Sequence, residues 1–188
     1  MITVAIVEDI REIKEGLEIL IDSDEGFTCI KTFSNGEEAL NDLPGLCPDV
    51  VLMDINLPGI NGIEAVRKLK GECPDTQFIM STVYEDDENI FESLKAGANG
   101  YLLKKSSPAV IIDAIKDVYN GGAPMNASIA TQVLKMFAGM SSGGKNYDLS
   151  EREKEVLQSL VDGNSYKMVA SSLKISIDTV RTHIRSIY

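Results

Sequence analysis

Three carboxylates, one hydroxyl and one ammonium each follow a short apolar run, although they lie far apart in sequence. They are Glu8, Asp9, Asp54, Thr82 and Lys104. Crowded carboxylates repel one another unless a cation lies among them, and hard oxygen ligands suit Mg²⁺ or Mn²⁺. Together these groups predict metal-assisted phosphoryl transfer. One carboxylate would be the nucleophile, and the lysine and threonine would stabilise the phosphoryl oxygens.

Each of these residues also has a simpler interpretation when taken alone. Glu8 and Asp9 could begin a helix, where acidic side chains favour the helix dipole. Thr82 could be an ordinary residue at a strand end, and Lys104 a solvated loop lysine. Asp54 is harder to explain in that way, because it ends the apolar run Val50-Val51-Leu52-Met53. The joint placement of all five at strand ends favours a functional site.

The first 120 residues alternate five apolar runs with five amphipathic segments, which predicts an α/β fold with a doubly wound, five-stranded parallel sheet. The predicted strands are Ile2–Val7, Thr28–Phe33, Val50–Met53, Gln77–Ser81 and Gly100–Leu103. The predicted helices are Arg11–Ile21, Glu37–Asp42, Ile63–Lys70, Asp87–Ala96 and Ala109–Asn120. Ligands of such sheets bind beyond the C-terminal strand ends, which is where the five polar residues fall.

Local signals predict several helix ends. Ser34 with Glu37 three residues later has the pattern of a capping box, and so does Ser150 with Glu153. Gly71, Gly97 and Gly121 stand where helices are expected to stop.

A change in pattern and in charge marks the C-terminal part. Gly121-Gly122-Ala123-Pro124 ends the alternation, a helix is predicted over 128–136, and residues 139–144 have the composition of a flexible linker. Three helices, Glu151–Val161, Tyr166–Leu173 and Ile177–Tyr188, predict a small all-α domain. Residues 1–120 carry a net charge of −13 and residues 121–188 one of +2, so a nucleic-acid partner is compatible only with the second part.

Neither a membrane span nor a signal peptide is predicted. No apolar run is long enough to cross a bilayer, and the apolar N-terminus lacks a basic flank. We therefore expect a cytoplasmic protein without a membrane partner. Cys29, Cys47 and Cys73 are widely separated and show no metal-ligand spacing, which predicts reduced thiols.

Residues 2–120 resemble the receiver domain of two-component signalling, a flavodoxin-like fold. The resemblance rests on Glu8-Asp9, on Asp54-Ile55-Asn56-Leu57-Pro58-Gly59 followed by Gly62, and on the stretch 96–104 with Tyr101 and Lys104. It implies that a histidine kinase donates a phosphoryl group to Asp54 in a Mg²⁺-dependent reaction.

The same resemblance implies further roles. The metal ligands would be Glu8, Asp9, Asp54 and the backbone carbonyl of Asn56. Thr82 and Tyr101 would form the switch that responds to phosphorylation. The chain would modify only itself and would not act as an enzyme on foreign substrates.

Two positions depart from the pattern of that family. Lys105 stands where many receivers have a proline, so we expect a trans peptide bond after Lys104. Val83 is bulkier than the small residue that many receivers have after the threonine. It predicts restricted access to Asp54 and slow phosphoryl exchange.

The last 40 residues resemble the LuxR-type helix-turn-helix of NarL/FixJ response regulators. The similarity is carried by the stretches 149–157 and 175–184. It implies binding to double-stranded DNA, with Arg181 at base edges. The same similarity implies that four further residues contact the DNA phosphates or flank such contacts, namely Lys167, Thr179, His183 and Arg185.

The family likeness also predicts the organisation of the chain. We expect a receiver over 1–121, a linker with a short helix over 122–147, and an incomplete DNA-binding domain over 148–188. The family has a further helix after the recognition helix, so this domain is expected to be truncated at its C-terminus. Phosphorylation is expected to produce a homodimer.

Three alternatives stay open. The first is a receiver that acts only through protein–protein contacts, with a non-functional DNA-binding tail. The second is a flavodoxin-like cofactor enzyme, which Glu8 and Asp9 disfavour because they would repel a phosphate. The third is a metal-dependent phosphohydrolase, for which no additional base is visible near the site.

Overall fold

The computed structural model describes residues 1–83, 87–140 and 149–187, apart from the side chains of residues 137–140, 185 and 187. The predicted linker glycines at 143 and 144 therefore lie outside the described residues, as does Tyr188. Among the described residues, no helix has the length and apolar character that a membrane crossing requires.

Five parallel strands form one sheet in the order β2-β1-β3-β4-β5, which confirms the predicted doubly wound architecture. The strands are β1 (Ile2–Val7), β2 (Phe27–Phe33), β3 (Val50–Asp54), β4 (Gln77–Thr82) and β5 (Gly100–Leu103). Every residue of β3 is buried, because helices cover both faces of the sheet.

Alternate strand residues belong to two separate apolar cores. Val51 and Met53 pack into the larger core with residues of the second, third and fourth helices. Val50 and Leu52 pack into the other core with residues of the first and fifth helices. The five helices of this part are α1 (Arg11–Asp22), α2 (Gly36–Leu46), α3 (Gly62–Glu72), α4 (Asp87–Ala96) and α5 (Pro108–Tyr119).

Two predicted helix signals are wrong by a short distance. The N-cap of α2 is Asn35, whose side chain accepts a hydrogen bond from the Glu38 N–H at 2.8 Å, and not Ser34. The polar pair that caps the helix thus lies one residue further on. Gly71 lies inside α3, and the helix ends only at Cys73, whose N–H bonds to the Leu69 carbonyl. Gly97 and Gly121 do follow helix ends with positive φ, as predicted.

The described residues of the C-terminal part form α6 (Ala127–Met140), α7 (Glu151–Val161), α8 (Tyr166–Leu173) and α9 (Ile177–Ile187). The Ser150–Glu153 capping box opens α7, as predicted. Helix α6 is longer than predicted, since it continues into the glycine-containing segment at 139–140. Its residues Ile129 and Val133 join the larger core of the sheet domain, together with Leu157 of α7.

Candidate functional site

Three carboxylates meet at the C-terminal edge of the sheet. Glu8 and Asp9 follow β1, and Asp54 ends the neighbouring strand β3. One oxygen from each lies within 4.8 Å of the others. Glu8 and Asp54 are buried whereas Asp9 is exposed, so the cluster opens to solvent on one side. The sequence-based expectation that these side chains converge is met.

Lys104 lies directly against this cluster. Its Nζ is 2.7 Å from Glu8 Oε2 and 2.9 Å from Asp54 Oδ2, and its side chain is only 9% exposed. Burial alone would lower the pKa of Lys104, but the hydrogen bonds and charges of the two carboxylates outweigh burial and raise that pKa. The lysine therefore stays charged and pairs with the carboxylates.

The surroundings of Glu8 change the proton affinity of its carboxylate. Burial raises the pKa of Glu8, and the nearby charge of Asp54 raises it further, while the hydrogen bond from Lys104 opposes both effects. Three carboxylates carry more negative charge than one ammonium can balance. The donors are hard oxygens with an open side for water, so the set fits a hydrated divalent ion such as Mg²⁺.

The loop after β3 is folded tightly around Asp54. The Asn56 N–H donates to Asp54 Oδ1 at 3.1 Å, and the Gly62 N–H donates to the Ile55 carbonyl at 3.0 Å. A Cβ at position 62 would lie 1.9 Å from the Asp54 carbonyl oxygen, so only glycine allows this approach. The loop thus returns to the sheet at Gly62 and starts α3 beside the candidate nucleophile.

The two predicted switch residues lie on adjacent strands. Thr82 is buried at the end of β4, where its carbonyl accepts the Lys104 N–H at 2.7 Å. Tyr101 is fully buried in β5, and its N–H donates to the Pro124 carbonyl at 2.9 Å. The strand that carries Tyr101 is therefore bonded to the segment that leads to the C-terminal helices. The Lys104–Lys105 peptide bond is trans, as expected.

In the helix-turn-helix, α9 carries most of the predicted DNA contacts. The Ser176 hydroxyl accepts the Thr179 N–H at 2.9 Å and so caps the helix. Lys167, on α8, is exposed. His183 is partly buried. Arg185 belongs to α9, but its side chain lies outside the described residues.

Arg181 does not point freely into solvent. Its side chain is 29% exposed, Nη1 is 2.9 Å from Asp178 Oδ1, and Nε is buried without a hydrogen-bond partner among the described residues. It lines a cleft of about 510 Å³ together with Asp117 of α5. Burial raises the pKa of Asp117, and the charge of Arg181 partly opposes this rise. In this conformation the predicted base-reading arginine faces the sheet domain.

Further contacts hold the helix-turn-helix against the segment after α5. The Ala123 N–H donates to the Tyr166 hydroxyl. Ala123 also shares an apolar cluster with Val180 and Ile184 of α9. Sequence reasoning missed the roles of Asp117, Ala123 and Tyr166. The only local signal was the break in pattern at Gly121-Gly122-Ala123-Pro124, and this break does not predict which residues the segment contacts.

Two family models match the chain. The model of the response regulator receiver domain matches residues 4–116. The model of the bacterial regulatory proteins of the luxR family matches residues 147–188.

Two relatives that align with nearly the whole chain are a transcriptional regulatory protein and a nitrate/nitrite response regulator. The transcriptional regulatory protein LnrK of Bacillus subtilis (strain 168) is 36% identical over 196 residues, which cover 100% of this chain and 89% of LnrK. The nitrate/nitrite response regulator protein NarP of Escherichia coli (strain K12) is 33% identical over 188 residues, covering 98% of this chain and 86% of NarP. A solved LuxR-family two-component response regulator from Aurantimonas sp. SI85-9A1 is 28% identical with a TM-score of 0.69, covering 73% of this chain and 99% of that chain.

Proposed function

The chain belongs to the response regulators, with a receiver domain and a LuxR-type DNA-binding domain, and on that basis we propose that Asp54 accepts a phosphoryl group from a histidine kinase. The observation that carries the proposal is the buried Asp54 carboxylate with Lys104 at 2.9 Å and two further carboxylates within 4.8 Å. Asp54 would act as the nucleophile and form an acyl phosphate. Lys104 and the Thr82 hydroxyl would bind the oxygens of the transferred group.

Glu8, Asp9, Asp54 and the Asn56 carbonyl are the proposed ligands of Mg²⁺ or Mn²⁺. When bound, the ion would neutralise charge on the phosphoryl oxygens. Lys104 already balances part of the negative charge of Glu8 and Asp54 at 2.7 and 2.9 Å. The same ammonium can therefore turn from the carboxylates to a phosphoryl oxygen without leaving the site. The phosphoryl group is transferred onto the chain itself, and the chain does not turn over a foreign substrate.

Phosphorylation of the intact chain by a small acyl-phosphate donor tests this proposal. With Mg²⁺ present we expect a mass gain of about 80 Da, the mass of one phosphoryl group, on a single residue. Asp54→Asn should abolish the gain, whereas Asp49→Asn, an aspartate at the opposite end of β3, should retain it. An unmodified wild-type chain, or a gain that survives Asp54→Asn, would contradict the assignment.

We also propose how the signal reaches the DNA-binding helices. The Thr82 hydroxyl would move toward the phosphoryl group, and β5 with Tyr101 would rearrange next to it. Tyr101 is bonded through its N–H to the Pro124 carbonyl, and the adjacent Ala123 is bonded to Tyr166. A shift of β5 would therefore weaken the contact that holds α8 and α9 against the receiver.

Double-stranded DNA is the proposed partner of α9 once it is released. Arg181 would reach base edges, and Lys167, Thr179, His183 and Arg185 would lie at the phosphates. Because Arg181 lines a cleft with Asp117 before release, we expect phosphorylation to strengthen DNA binding, accompanied by formation of a homodimer.

Fluorescence anisotropy with a labelled duplex tests the proposed DNA binding, and size-exclusion chromatography tests the formation of a homodimer. The phosphorylated chain should bind more tightly than the unmodified chain, and its affinity should fall steeply with salt. Lys167→Ala should weaken binding to all sequences. An absence of DNA binding in both states would favour the alternative, a receiver that acts only through protein–protein contacts.

A further inference from the structure

Two cysteines meet at the end of the sheet opposite Asp54. Cys47 ends α2 and Cys73 ends α3, so both precede the strands β3 and β4 that follow these helices. They are 26 residues apart in sequence, yet their Sγ atoms are 2.9 Å apart. An S–S bond is about 2.05 Å long, so the sulfurs need to approach by only about 0.9 Å more.

Backbone contacts hold both cysteines in place. The Cys47 N–H donates to the Leu43 carbonyl at 2.8 Å, and the Cys73 N–H donates to the Leu69 carbonyl at 2.7 Å. The two chain segments are joined again by the Thr76 hydroxyl, which donates to the Pro48 carbonyl at 2.8 Å. The sulfurs therefore face one another as a consequence of the fold.

The two thiols differ in their access to solvent. Cys47 is exposed, whereas Cys73 is only 2% exposed. Burial raises the pKa of Cys73 to about 11, and its hydrogen bond to Cys47 adds to that rise. A dissolved reagent can therefore reach Cys47 first, while Cys73 is placed to react only with its neighbour.

We propose that Cys47 and Cys73 are a thiol pair that forms an intramolecular disulfide when the chain meets a low-molecular-weight disulfide. The Cys47 thiolate attacks one sulfur of the reagent, which breaks the reagent's S–S bond and releases one thiol. The Cys73 thiolate then attacks Cys47 Sγ, which forms the Cys47–Cys73 bond and releases the second thiol. Two protein thiols are oxidised, one reagent disulfide is reduced, and the two thiol protons leave on the released thiols.

The bond would stabilise the receiver. It closes a loop that contains β3, Asp54 and the whole of α3. Closing a loop of this length lowers the entropy of the unfolded chain. We expect the oxidised chain to melt roughly 5–10 °C higher than the reduced chain.

Cys29 provides a matched control within the same chain. It lies in β2, where its sulfur is 3.9 Å from the Lys31 carbonyl. Burial and the charges of Glu18 and Asp22 raise the pKa of Cys29 to about 11. Cys29 is thus similar to Cys73 in its acidity, but it lacks the contact with Cys47 that the proposal requires.

The test is to incubate the folded chain with oxidised glutathione, alkylate the remaining thiols and measure intact mass and non-reduced peptide maps. We expect one alkylated cysteine, no retained glutathione, and a cross-linked peptide that joins positions 47 and 73. The Cys29→Ser variant should form the same cross-link. The Cys47→Ser variant, whose substitution is at an exposed position, should form none.

Three results would overturn the proposal. They are a stable glutathione adduct on Cys47 of the wild-type chain, a cross-link that includes Cys29, and a disulfide between two chains. Cys73 is buried, and its replacement could disturb folding. The assignment of Cys73 therefore rests on the peptide map of the wild-type chain.

Discussion

The Tyr166 hydroxyl accepts a hydrogen bond from the Ala123 N–H and so ties the second helix of the DNA-binding domain to the segment that leaves the receiver. Burial raises the pKa of Tyr166 above its usual value, so the phenol keeps its proton at neutral pH. Gly122 lies close to the ring, and a Cβ there would be 2.6 Å from Tyr166 Cε2. This contact joins the two domains, and no feature of the sequence predicted it.

Tyr166→Phe should loosen the contact between the domains. The variant leaves the Ala123 N–H without its acceptor, which costs about 1–3 kcal/mol when the donor stays buried. We expect faster hydrogen exchange across residues 119–126 and a lower melting temperature of the C-terminal helices. Tyr119→Phe is the matched control, since Tyr119 is 49% exposed. Equal exchange in the two variants would contradict the role of the hydroxyl.

Lys104→Met should destabilise the receiver in a pH-dependent way. Removal of one partner of a buried ion pair costs about 3–5 kcal/mol, because Glu8 and Asp54 are left uncompensated. The already raised pKa of Glu8 should rise further. A carboxyl group whose folded pKa lies above its unfolded value binds more protons in the folded state, so stability is lost as pH rises.

Urea unfolding of Lys104→Met and wild type therefore should differ more at pH 8 than at pH 5. Lys105→Met, at the exposed neighbouring position, serves as the control for the loss of a lysine that lies outside the carboxylate cluster. A penalty that is the same at both pH values, or the same in both variants, would argue against an uncompensated carboxylate pair.

The pH dependence of Mg²⁺ binding should report on Glu8. Protonated carboxyl groups are poor metal ligands, and the raised pKa of Glu8 moves its protonation above the range of an ordinary glutamate. Mg²⁺ affinity, measured by titration calorimetry, should fall as pH is lowered from 7.5 to 5. In Glu8→Gln the affinity should be lower at pH 7.5 and less dependent on pH. If Glu8→Gln keeps the wild-type pH profile, Glu8 is not the group that titrates.

Val83→Ala should accelerate phosphoryl exchange at Asp54. Val83 follows Thr82 directly and is 60% exposed, so it stands at the solvent side of the site. A smaller side chain should admit the phosphodonor and the hydrolytic water more readily. We expect the rates of both phosphorylation and dephosphorylation to increase several-fold. Phosphate-affinity gels measure both rates. Val110→Ala, at another exposed valine, should change neither rate, and unchanged rates in Val83→Ala would sink the idea.

Gly62→Ala should distort the loop that follows β3. The added Cβ would lie 1.9 Å from the Asp54 carbonyl oxygen. Relief of this clash requires a backbone shift, for which we expect a loss of about 1–3 kcal/mol in the free energy of unfolding and slower phosphorylation.

Gly71→Ala is the control for this substitution. It lies inside α3, where a Cβ meets nothing within 4 Å. That variant should gain about 0.5–1 kcal/mol, because alanine favours a helix interior over glycine. If the two substitutions change the free energy of unfolding equally, the clash with the Asp54 carbonyl oxygen is not what excludes a side chain at position 62.

Periodicity and strand-end chemistry in the sequence were enough to predict the receiver and the position of its acidic cluster. The runs around Val50–Met53 are apolar because both faces of the sheet are covered, and that burial restricts their sequence strongly. Parallel strands end at one edge, so Glu8, Asp54 and Lys104 could be placed together from topology alone. Helix ends were less certain, as at Asn35 and Gly71, because neighbouring polar or glycine residues carry nearly equivalent local signals.

Contacts between distant segments could be seen only in the tertiary structure, because the surfaces that form them carry no clear sequence pattern. Arg181 has the residue type of a DNA contact, yet it lines a cleft with Asp117 of the receiver. Cys47 and Cys73 appeared unrelated in sequence, and the packing of α2 beside α3 brings their sulfurs to 2.9 Å. Such contacts join residues from distant segments, and the local conformational preferences of a sequence do not predict which surfaces will meet. Local sequence patterns therefore predicted the acidic cluster around Asp54, whereas the docking of the DNA-binding helices could be seen only in the folded chain.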